Sequence, residues 1–298
     1  MIDLHVHTTN SDGILTEIET LKKAQEIGLK ALAITDHNTC GAYDALKTVN
    51  IDLLYNGELI RGCELNTIVD NVPIELLAYD IDTDNMQKSI NQCYMPFKDL
   101  NVYETNLLIQ RCLDLGLVLN VDDIEYDIYK EYGNRGVHRE IIKHEENKKY
   151  IDEKSWADPH YFSVNFIGNP NSPFFIDTSN LIPKYKDVVE IIKLAGGKVF
   201  IPHVFKYKEN SLTVLNKLLD ENCLDGIECY HSTYTKEDTE YLLNLCNERK
   251  LYKSGGTDTH GRGDIVLGYG DGSMNIPDDI FKEWHTPNPN KVKVYKIK

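Results

Sequence analysis

The feature that most constrains this chain is a series of short apolar segments, each of which ends in histidine or an acidic residue. In the first segment, MIDLHVH, apolar residues alternate with Asp3, His5 and His7, which is the period of two that a β-strand requires. Such a strand packs one face and carries polar side chains on the other. The pattern recurs in LKALAITDH, LIRGCELN, GGKVFIPH, LDGIECYH and LYKSGGTDTH, which end at or near His37, Glu64, His203, His231 and His260. We therefore expect several strands whose carboxyl ends present polar side chains.

Helical patterns separate these segments. Thr16 and Glu19 form a capping box before residues at helical spacing, and Gly28 supplies the stop. Later helices are predicted at about 184–195, 210–222 and 236–249, with Thr235 as the N-cap of the last one. Repeated strand–helix units imply a mostly parallel sheet, open or closed. The 298 residues are enough for one α/β barrel, which takes roughly 250 residues, together with an insertion.

Residues 83–182 interrupt this repetition. They begin with a helical stretch and continue with segments rich in Tyr, Asn, Pro and charged residues that have no strand–helix period. We interpret them as an inserted, partly helical subdomain that covers the active site, between the barrel segments 1–82 and 183–298. The last residues, NKVKVYKIK, alternate and are predicted to form a solvated strand edge.

Charge and cysteine content bear on the partners and the compartment. The chain has 32 Lys and Arg against 47 Asp and Glu, a formal net charge of −15, which argues against a nucleic-acid polymer or an anionic membrane as a partner. No run of about 18 apolar residues is available to span a membrane. The seven cysteines form no CxxC pair, and the N-terminus lacks a basic region followed by an apolar run, so we expect a cytoplasmic protein with reduced thiols.

The polar strand ends together predict a metal site. His5 and His7 project from the same face at the end of one strand, where both imidazoles can reach one ion. In a barrel, the carboxyl ends of all strands open onto one rim, where barrel enzymes have their active sites. The other candidates for this rim are His37, Glu64, His203, Asp258 and His260. So many imidazoles and carboxylates would be costly to bury together without cations, and we therefore expect divalent metal ions there.

These residues lie in motifs that resemble those of a known family. The chain resembles the polymerase and histidinol phosphatase (PHP) family of metallo-phosphoesterases through HVHTTNSDG at 5–13, AITDHNT at 33–39, GCELNT at 62–67, PHV at 202–204, GIECYHS at 226–232 and GGTDTHG at 255–261. The resemblance implies a distorted TIM-like (β/α)7 barrel that binds two or three divalent ions, which would be Mn, Fe or Zn, with Mg as a further candidate. It also implies hydrolysis of a small phosphate monoester or nucleotide by a metal-bridged hydroxide.

The same resemblance implies which residues bind each ion. The first ion would be held by His5, His7, Glu64 and Asp258. Glu64 would bridge to a second ion, whose other ligands would be His203 and Glu75. The third ion would be held by Asp12, His37 and His260. Glu75, in the predicted strand VPIELLAY, stands where family members usually have His, and its oxygens favour Mn, Fe or Mg over an all-imidazole zinc set. The alternative is that Glu75 points at solvent and the second site is weak.

Catalytic and phosphate-binding candidates lie near these ligands in the sequence. We expect His231 to protonate the leaving oxygen, with a metal-bound water as the alternative, and Asp258 to act in catalysis as well as in metal binding. The basic candidates for phosphate binding are Arg135, His138, Arg139, Lys206 and Arg262. The alternative for the group around His138 is the solvated face of an amphipathic helix.

Other functions stay open at this point. One is a histidinol-phosphate phosphatase, which shares the chemistry. Another is an amidohydrolase-type C–N hydrolase, which also has H-x-H and a barrel Asp, although it leaves Asp12, His37 and His260 unexplained. A third is a non-catalytic metal-binding accessory module, against which the nearly complete ligand set argues. The oligomeric state does not follow from the sequence.

Overall fold

The computed structural model describes residues 1–128, 131–272 and 274–287 of the protein. Within them the chain forms two compact units: Met1–Cys93 with the described residues from Pro183 onward, and Tyr94–Ile182. The insertion predicted at 83–182 therefore differs at its start, because the helix that ends at Cys93 groups with the first unit. The strand edge predicted for NKVKVYKIK lies outside the described residues.

The strands of the first unit form one seven-stranded sheet in chain order. They are β1 (Ile2–Val6), β2 (Ala31–Ile34), β3 (Glu58–Val69), β4 (Val72–Tyr79), β5 (Lys198–Ile201), β6 (Gly226–His231) and β7 (Tyr252–Gly256). β1, β2 and β3 pair in parallel, as do β5, β6 and β7, whereas β4 is antiparallel to both of its neighbours. The sheet nearly closes, because a parallel bridge joins Val6 to Thr259 and the Asp258 N–H donates to the His5 carbonyl at 2.8 Å. The predicted distorted (β/α)7 barrel is confirmed.

The α-helices of the described residues are α1 (Glu17–Glu26), α2 (Gly41–Leu46), α3 (Thr83–Cys93), α4 (Phe97–Asp114), α5 (Gly133–Ile141), α6 (Glu153–Ala157), α7 (Pro159–Phe162), α8 (Tyr185–Leu194), α9 (Ser211–Asp220) and α10 (Lys236–Arg249). Shorter helical segments lie at Ile51–Leu53, Val121–Asp123, Glu145–Tyr150, Ser163–Ile167, Ser179–Leu181, Val204–Asn210 and Ile280–Glu283. The three later helices predicted from the sequence are confirmed as α8, α9 and α10. The capping box of Thr16 and Glu19 is also present, and Thr235 caps α10 in the same way.

β3 and β4 form a hairpin rather than a strand–helix unit. Its two-residue turn, Asp70–Asn71, has φ of 47° and 67°, and such a short turn can join only antiparallel strands. The strand end predicted near Glu64 is wrong, because β3 continues to Val69. The backbone of Glu64 nevertheless bridges that of His37, just beyond the end of β2. Glu64 therefore lies at the same rim as the ends of the parallel strands.

Buried apolar side chains fill the barrel near the start of its parallel strands. Trp284 stacks on Tyr79 with ring centroids 5.1 Å apart, and its ring lies 5.1 Å from that of Phe200. Leu4 and Ile60 belong to the same cluster. This packing closes one end of the barrel, so polar side chains collect at the other end, where the parallel strands finish.

The second unit, Tyr94–Ile182, has an apolar cluster of its own. Helices α4, α5 and α7 contribute Leu108, Val137 and Phe162 to it, and the ring of Phe174 packs edge-on against Phe162 with centroids 5.7 Å apart. The described part of this unit is built from helices and turns, which explains why its sequence has no strand period. Across the described residues, no helix has both the length and the apolar composition that crossing a membrane requires.

Candidate metal centre

The first cluster of potential ligands lies where β1, β3 and the loop after β7 meet. It consists of His5, His7, Glu64 and Asp258, whose ligand atoms all lie within 4.8 Å of one another. The Nε2 atom of His7 lies 3.2 Å from Glu64 Oε2 and 3.1 Å from Asp258 Oδ1. The Nε2 atom of His5 lies 3.1 Å and 3.4 Å from the same two oxygens. The structure thus brings together the four residues predicted for the first ion.

The second cluster consists of His37, Glu64 and Glu75, to which His203 is added by its contacts with both carboxylates, and it shares Glu64 with the first. His203 Nε2 lies 2.9 Å from Glu64 Oε1 and 3.2 Å from Glu75 Oε2, so the side chain of Glu75 points into the site. The structure adds a residue to those predicted here, because His37 Nδ1 lies 3.4 Å from Glu64 Oε2 and 3.6 Å from Glu75 Oε1. Tyr207 holds the Glu75 backbone, since its hydroxyl accepts the Glu75 N–H at 3.1 Å.

The third cluster consists of His7, Asp12, His37 and His260. Asp12 Oδ1 lies 3.2 Å from His260 Nε2, 3.8 Å from His37 Nε2 and 3.9 Å from His7 Nδ1. The structure therefore brings together the three residues predicted for the third ion and adds His7 to them. His7 and His37 each belong to two clusters, so the three clusters form one continuous centre.

Burial and charge strongly perturb the pKa values of these groups. Burial alone lowers the pKa of His7, but hydrogen bonds to Asp258 and Glu64 outweigh it and raise the pKa to about 10. Burial alone raises the pKa of Glu64, but the nearby His5 and His37 lower it well below its ordinary value. Asp12 is likewise lowered to about 2, because His260 and other imidazoles outweigh its burial. Positive charge is strongly favoured beside these carboxylates.

The donor set fits divalent cations. Nδ1 of His7 and Nδ1 of His37 are buried without a hydrogen-bond partner among the described residues. A buried polar atom without a partner is costly, and imidazole and carboxylate are the ligands that Mn, Fe and Zn bind. Residues with such atoms occur in all three clusters, so each cluster can hold an ion with the side chains present.

The backbone holds ligands at the rim where β5 and β7 end. His203 and Asp258 adopt left-handed φ values of 30° and 56° shortly after these strands, so the chain turns sharply at each of them. Gly256 at the end of β7 allows the barrel to close, because a Cβ there would lie 2.3 Å from the backbone N of His5. The close approach of β7 to β1 brings Asp258 beside His5 and His7.

Asp36 organises the loop that carries Asp12. Its carboxylate accepts hydrogen bonds from the Thr8 N–H at 2.7 Å, from the Thr8 hydroxyl at 2.6 Å and from the Ser11 hydroxyl at 2.6 Å. Asp36 is itself buried. A buried carboxylate with several donors fixes the conformation of the segment that supplies them.

Two of the predicted phosphate-binding residues, Lys206 and Arg262, lie beside carboxylates of the centre, and so does the predicted proton donor His231. The Lys206 ammonium pairs with Asp258 Oδ2, the oxygen that faces away from His7, and His231 Nε2 lies 3.4 Å from the same oxygen. The Thr233 N–H donates to His231 Nδ1 at 3.1 Å, so neutral His231 carries its hydrogen on Nε2, toward Asp258. Arg262 lies 3.7 Å from Asp12 Oδ2.

The other predicted phosphate-binding residues lie in α5 of the second unit. His138 is buried, and its Nε2 donates to the Ser155 carbonyl at 2.7 Å. Arg139 donates to both carboxylate oxygens of Glu131, at 2.9 Å and 2.7 Å, while Arg135 is exposed. These contacts hold His138 and Arg139 within this unit, and the phosphate role of the three residues stays a prediction.

Sequence reasoning missed Glu228, a fully buried carboxylate in β6. Its Oε1 lies 2.9 Å from His5 Nδ1, and its Oε2 accepts the His203 N–H at 2.8 Å. In the segment LDGIECYH the sequence pattern predicts a site residue at the terminal His231. The signal that could have identified Glu228 is a charged residue inside an otherwise apolar strand.

Comparison with known proteins identifies several relatives. The family model described as PHP domain matches residues 3–156. A 5'-3' exoribonuclease of Haemophilus influenzae is 26% identical over 294 residues, which cover 95% of this chain and 97% of the relative. The 5'-3' exoribonuclease Rnm of Salmonella typhimurium is 39% identical over 83 residues, 27% of each chain.

Solved structures with the same fold include two proteins of similar length. One is assigned as a metal-dependent phosphoesterase from Bifidobacterium adolescentis, with a TM-score of 0.68, 23% identity and coverage of 94% of both chains. The other is an amidohydrolase from Chromobacterium violaceum with bound sulfate, with a TM-score of 0.68, 18% identity and coverage of 94% of this chain and 92% of that one. At these identities the likeness bears on the fold alone. Because the family model matches slightly more than half of its residues, the chain belongs to the PHP domain family.

Proposed function

We propose that this protein is a metal-dependent phosphoesterase that hydrolyses a phosphate monoester or a nucleotide. The observation that carries the proposal is the continuous centre of three ligand clusters, joined by Glu64, His7 and His37. A phosphate group has several anionic oxygens, and a continuous multinuclear centre offers more than one cation to them. A site for a single ion would offer only one cation to these oxygens.

Divalent ions bound there would supply Lewis-acid chemistry, neutralising phosphate oxygens and lowering the pKa of water toward about 7. The side chains of the three clusters would hold these ions. Glu64 directs one oxygen to His203 and the other to His5 and His7, which suits a carboxylate that bridges two sites. Glu75 gives the second cluster two carboxylates, which favours Mn, Fe or Mg over Zn.

Cationic side chains beside the centre are suited to binding the oxygens of the phosphate group. Lys206 is 40% exposed at its contact with Asp258, so its ammonium can turn to a non-bridging phosphate oxygen. Arg262 is similarly exposed beside Asp12. His231 Nε2 lies 3.4 Å from Asp258 Oδ2, so His231 is placed to hold that carboxylate and, beside the centre, to protonate the leaving oxygen.

A second candidate is 5'-3' exoribonuclease activity, which the Haemophilus influenzae relative favours because it matches nearly the whole of both chains. The formal net charge of −15, which disfavours a nucleic-acid polymer, is a property of the whole chain. Net charge does not describe the local potential at a site that holds several divalent ions. An enzyme that removes terminal nucleotides needs to bind only the end of a polymer, which an acidic protein can do at such a site.

The test is a panel of substrates with the Mn²⁺-loaded protein. It contains p-nitrophenyl phosphate, nucleoside 5'-monophosphates, a 5'-phosphorylated oligoribonucleotide labelled at its 3' end, and an aminated nucleoside. Release of phosphate from monoesters supports a phosphatase, and stepwise release of mononucleotides from the 5' end supports the exoribonuclease. Ammonia release without cleavage of any phosphoester would overturn the proposal in favour of the C–N hydrolase.

Variants assign the activity to the centre. We expect His5→Ala and His37→Ala to abolish phosphoester cleavage, because each removes a ligand from the centre. The control is His160→Ala, which changes an exposed histidine of the second unit. Undiminished turnover in both ligand variants would show that the centre is not where the reaction takes place.

A further inference from the structure

We propose that Glu228 is a positioning residue that fixes two metal ligands at once, the imidazole of His5 and the backbone of His203. The inference rests on the metal centre of the proposed function. Glu228 Oε1 lies 2.9 Å from His5 Nδ1, and Oε2 accepts the His203 N–H at 2.8 Å. The two ligands come from different strands and serve different clusters, so one carboxylate acts on both.

The first contact selects the form of His5 that binds metal. A carboxylate at Nδ1 retains the imidazole hydrogen there, and the lone pair of neutral His5 is then on Nε2. Nε2 is the atom that lies 3.1 Å from Glu64 Oε2 and 3.4 Å from Asp258 Oδ1. Glu228 therefore turns the metal-binding nitrogen of His5 into the first cluster.

The second contact holds a strained backbone. His203 has φ of 30° and ψ of 49°, a left-handed conformation that residues with a Cβ rarely adopt. A hydrogen bond from its N–H to a buried carboxylate is charge-assisted and stabilises this conformation. The conformation in turn brings His203 Nε2 to 2.9 Å from Glu64 and 3.2 Å from Glu75. Glu228 therefore also orients a ligand of the second cluster.

Glu228 acts through these ligands and is not a ligand itself. Each of its two oxygens contacts His5 or His203, and Glu228 is absent from the three ligand clusters found in the described residues. Neither His5 nor His203, the two residues that it contacts, belongs to the third cluster. A selective effect follows: loss of Glu228 weakens the first and second sites and leaves the third intact.

The test is metal binding by Glu228→Gln, measured as Mn²⁺ stoichiometry and affinity by calorimetry and native mass spectrometry. Glutamine has one oxygen, one N–H2 group and no charge, so one of the two donors loses its acceptor and the other keeps only a neutral, weaker hydrogen bond. We expect about 10- to 100-fold weaker binding at two sites, which is typical of outer-shell partners, and one site of wild-type affinity. Equal weakening at all sites, or wild-type affinity throughout, would overturn the proposal.

Two controls separate positioning from a general loss of stability. Glu140→Gln removes another buried carboxylate, in the second unit, and is expected to leave Mn²⁺ affinity unchanged. The wild-type protein gives an independent reading if Glu228→Gln does not fold: with Zn²⁺ bound, long-range ¹H–¹⁵N spectra should show the His5 hydrogen on Nδ1. A hydrogen on Nε2 would refute the proposal. None of these measurements depends on catalysis, so a protein that binds metal as expected but cleaves no phosphoester would contradict the proposed function alone.

Discussion

The imidazole rings of His7 and His260 stack on each other, with centroids 4.3 Å apart and an interplanar angle of 11°. The two residues differ in their relation to the centre. His7 directs Nε2 to Glu64 and Asp258 and Nδ1 to Asp12, so it belongs to the first and third clusters. His260 is grouped with the third. The two stacked histidines therefore belong to different numbers of candidate metal sites, two for His7 and one for His260.

This difference predicts unequal losses of metal. We expect His7→Ala to lose ions from two sites and His260→Ala from one, as counted by elemental analysis of protein dialysed against Mn²⁺ and then buffer. His160→Ala serves as the control and should retain the wild-type content. The same loss in the two cluster variants would contradict the assignment of His7 to two sites.

The raised pKa of His7 predicts how the metal-free protein responds to pH. The folded pKa of about 10 lies above the ordinary value of 6.5, so protonated His7 stabilises the folded state fully below about 6.5 and loses this contribution as the pH rises toward 10. His203, with a pKa raised to about 9 by Glu64 and Glu75 against the effect of burial, acts in the same direction. In EDTA, urea denaturation should therefore show lower stability at pH 9.5 than at pH 6.5.

Saturating Mn²⁺ provides the matched comparison. Metal ligation requires deprotonated imidazoles, so the stabilisation that Mn²⁺ adds should grow over the same pH range. A metal-free protein whose stability rises from pH 6.5 to 9.5 would contradict the role of the buried imidazoles.

The fold was largely accessible from the sequence because its signals are local. The alternation of MIDLHVH, the capping box at Thr16 and the polar residues that end each apolar segment all depend on neighbours a few positions away. The hairpin of β3 and β4 was not predicted, because the turn at Asp70–Asn71 looks like an ordinary interruption when the pairing partner is unknown. The sequence therefore predicts a strand end near Glu64, whereas β3 continues to Val69.

The details of the site depend on contacts between distant parts of the chain. Glu228 and His5 are 223 positions apart, and no periodicity within either strand indicates their contact. The phosphate role predicted for His138 rests on basic residues that are neighbours in the sequence, a pattern that does not show which contacts their side chains make. In the structure His138 packs against Phe162 and bonds to Ser155, which are core contacts of the second unit.

Glu75 should set the metal preference of the second cluster. Its carboxylate lies 3.2 Å from His203 and is held there by the contact of Tyr207 with its backbone. We expect Glu75→His to shift the relative affinity of this cluster from Mn²⁺ toward Zn²⁺, because imidazole is the softer ligand. Competition calorimetry with the two ions measures the shift, and Glu75→Asp, which keeps the oxygen ligand, should not produce it. An unchanged Mn²⁺ to Zn²⁺ ratio in Glu75→His would mean that Glu75 does not bind the ion.

Trp284 should contribute stability rather than chemistry. It is 3% exposed and packs on Tyr79 and Phe200 in the barrel core. We expect Trp284→Ala to lower the free energy of unfolding by about 3–5 kcal/mol, the usual cost of removing a large buried aromatic side chain. Urea denaturation measures this change, and Mn²⁺ stoichiometry of the folded protein should stay at the wild-type value. A loss below about 1 kcal/mol would mean that the indole is not part of the core.

Lys206 is the cation best situated to assist phosphoester cleavage, because its ammonium contacts the oxygen of Asp258 that faces away from His7. Lys206→Met keeps most of the aliphatic stem and removes the charge. We expect kcat/KM for phosphoester cleavage to fall about 10²- to 10³-fold, as when one donor to a developing negative charge is removed, with partial recovery in Lys206→Arg. The matched control is Lys186→Met, which removes an exposed lysine that pairs with Glu221 outside the centre and should leave the kinetics unchanged. If Lys206→Met binds Mn²⁺ normally and cleaves at the wild-type rate, the phosphate oxygens are held by other groups, of which Arg262 is the first to examine.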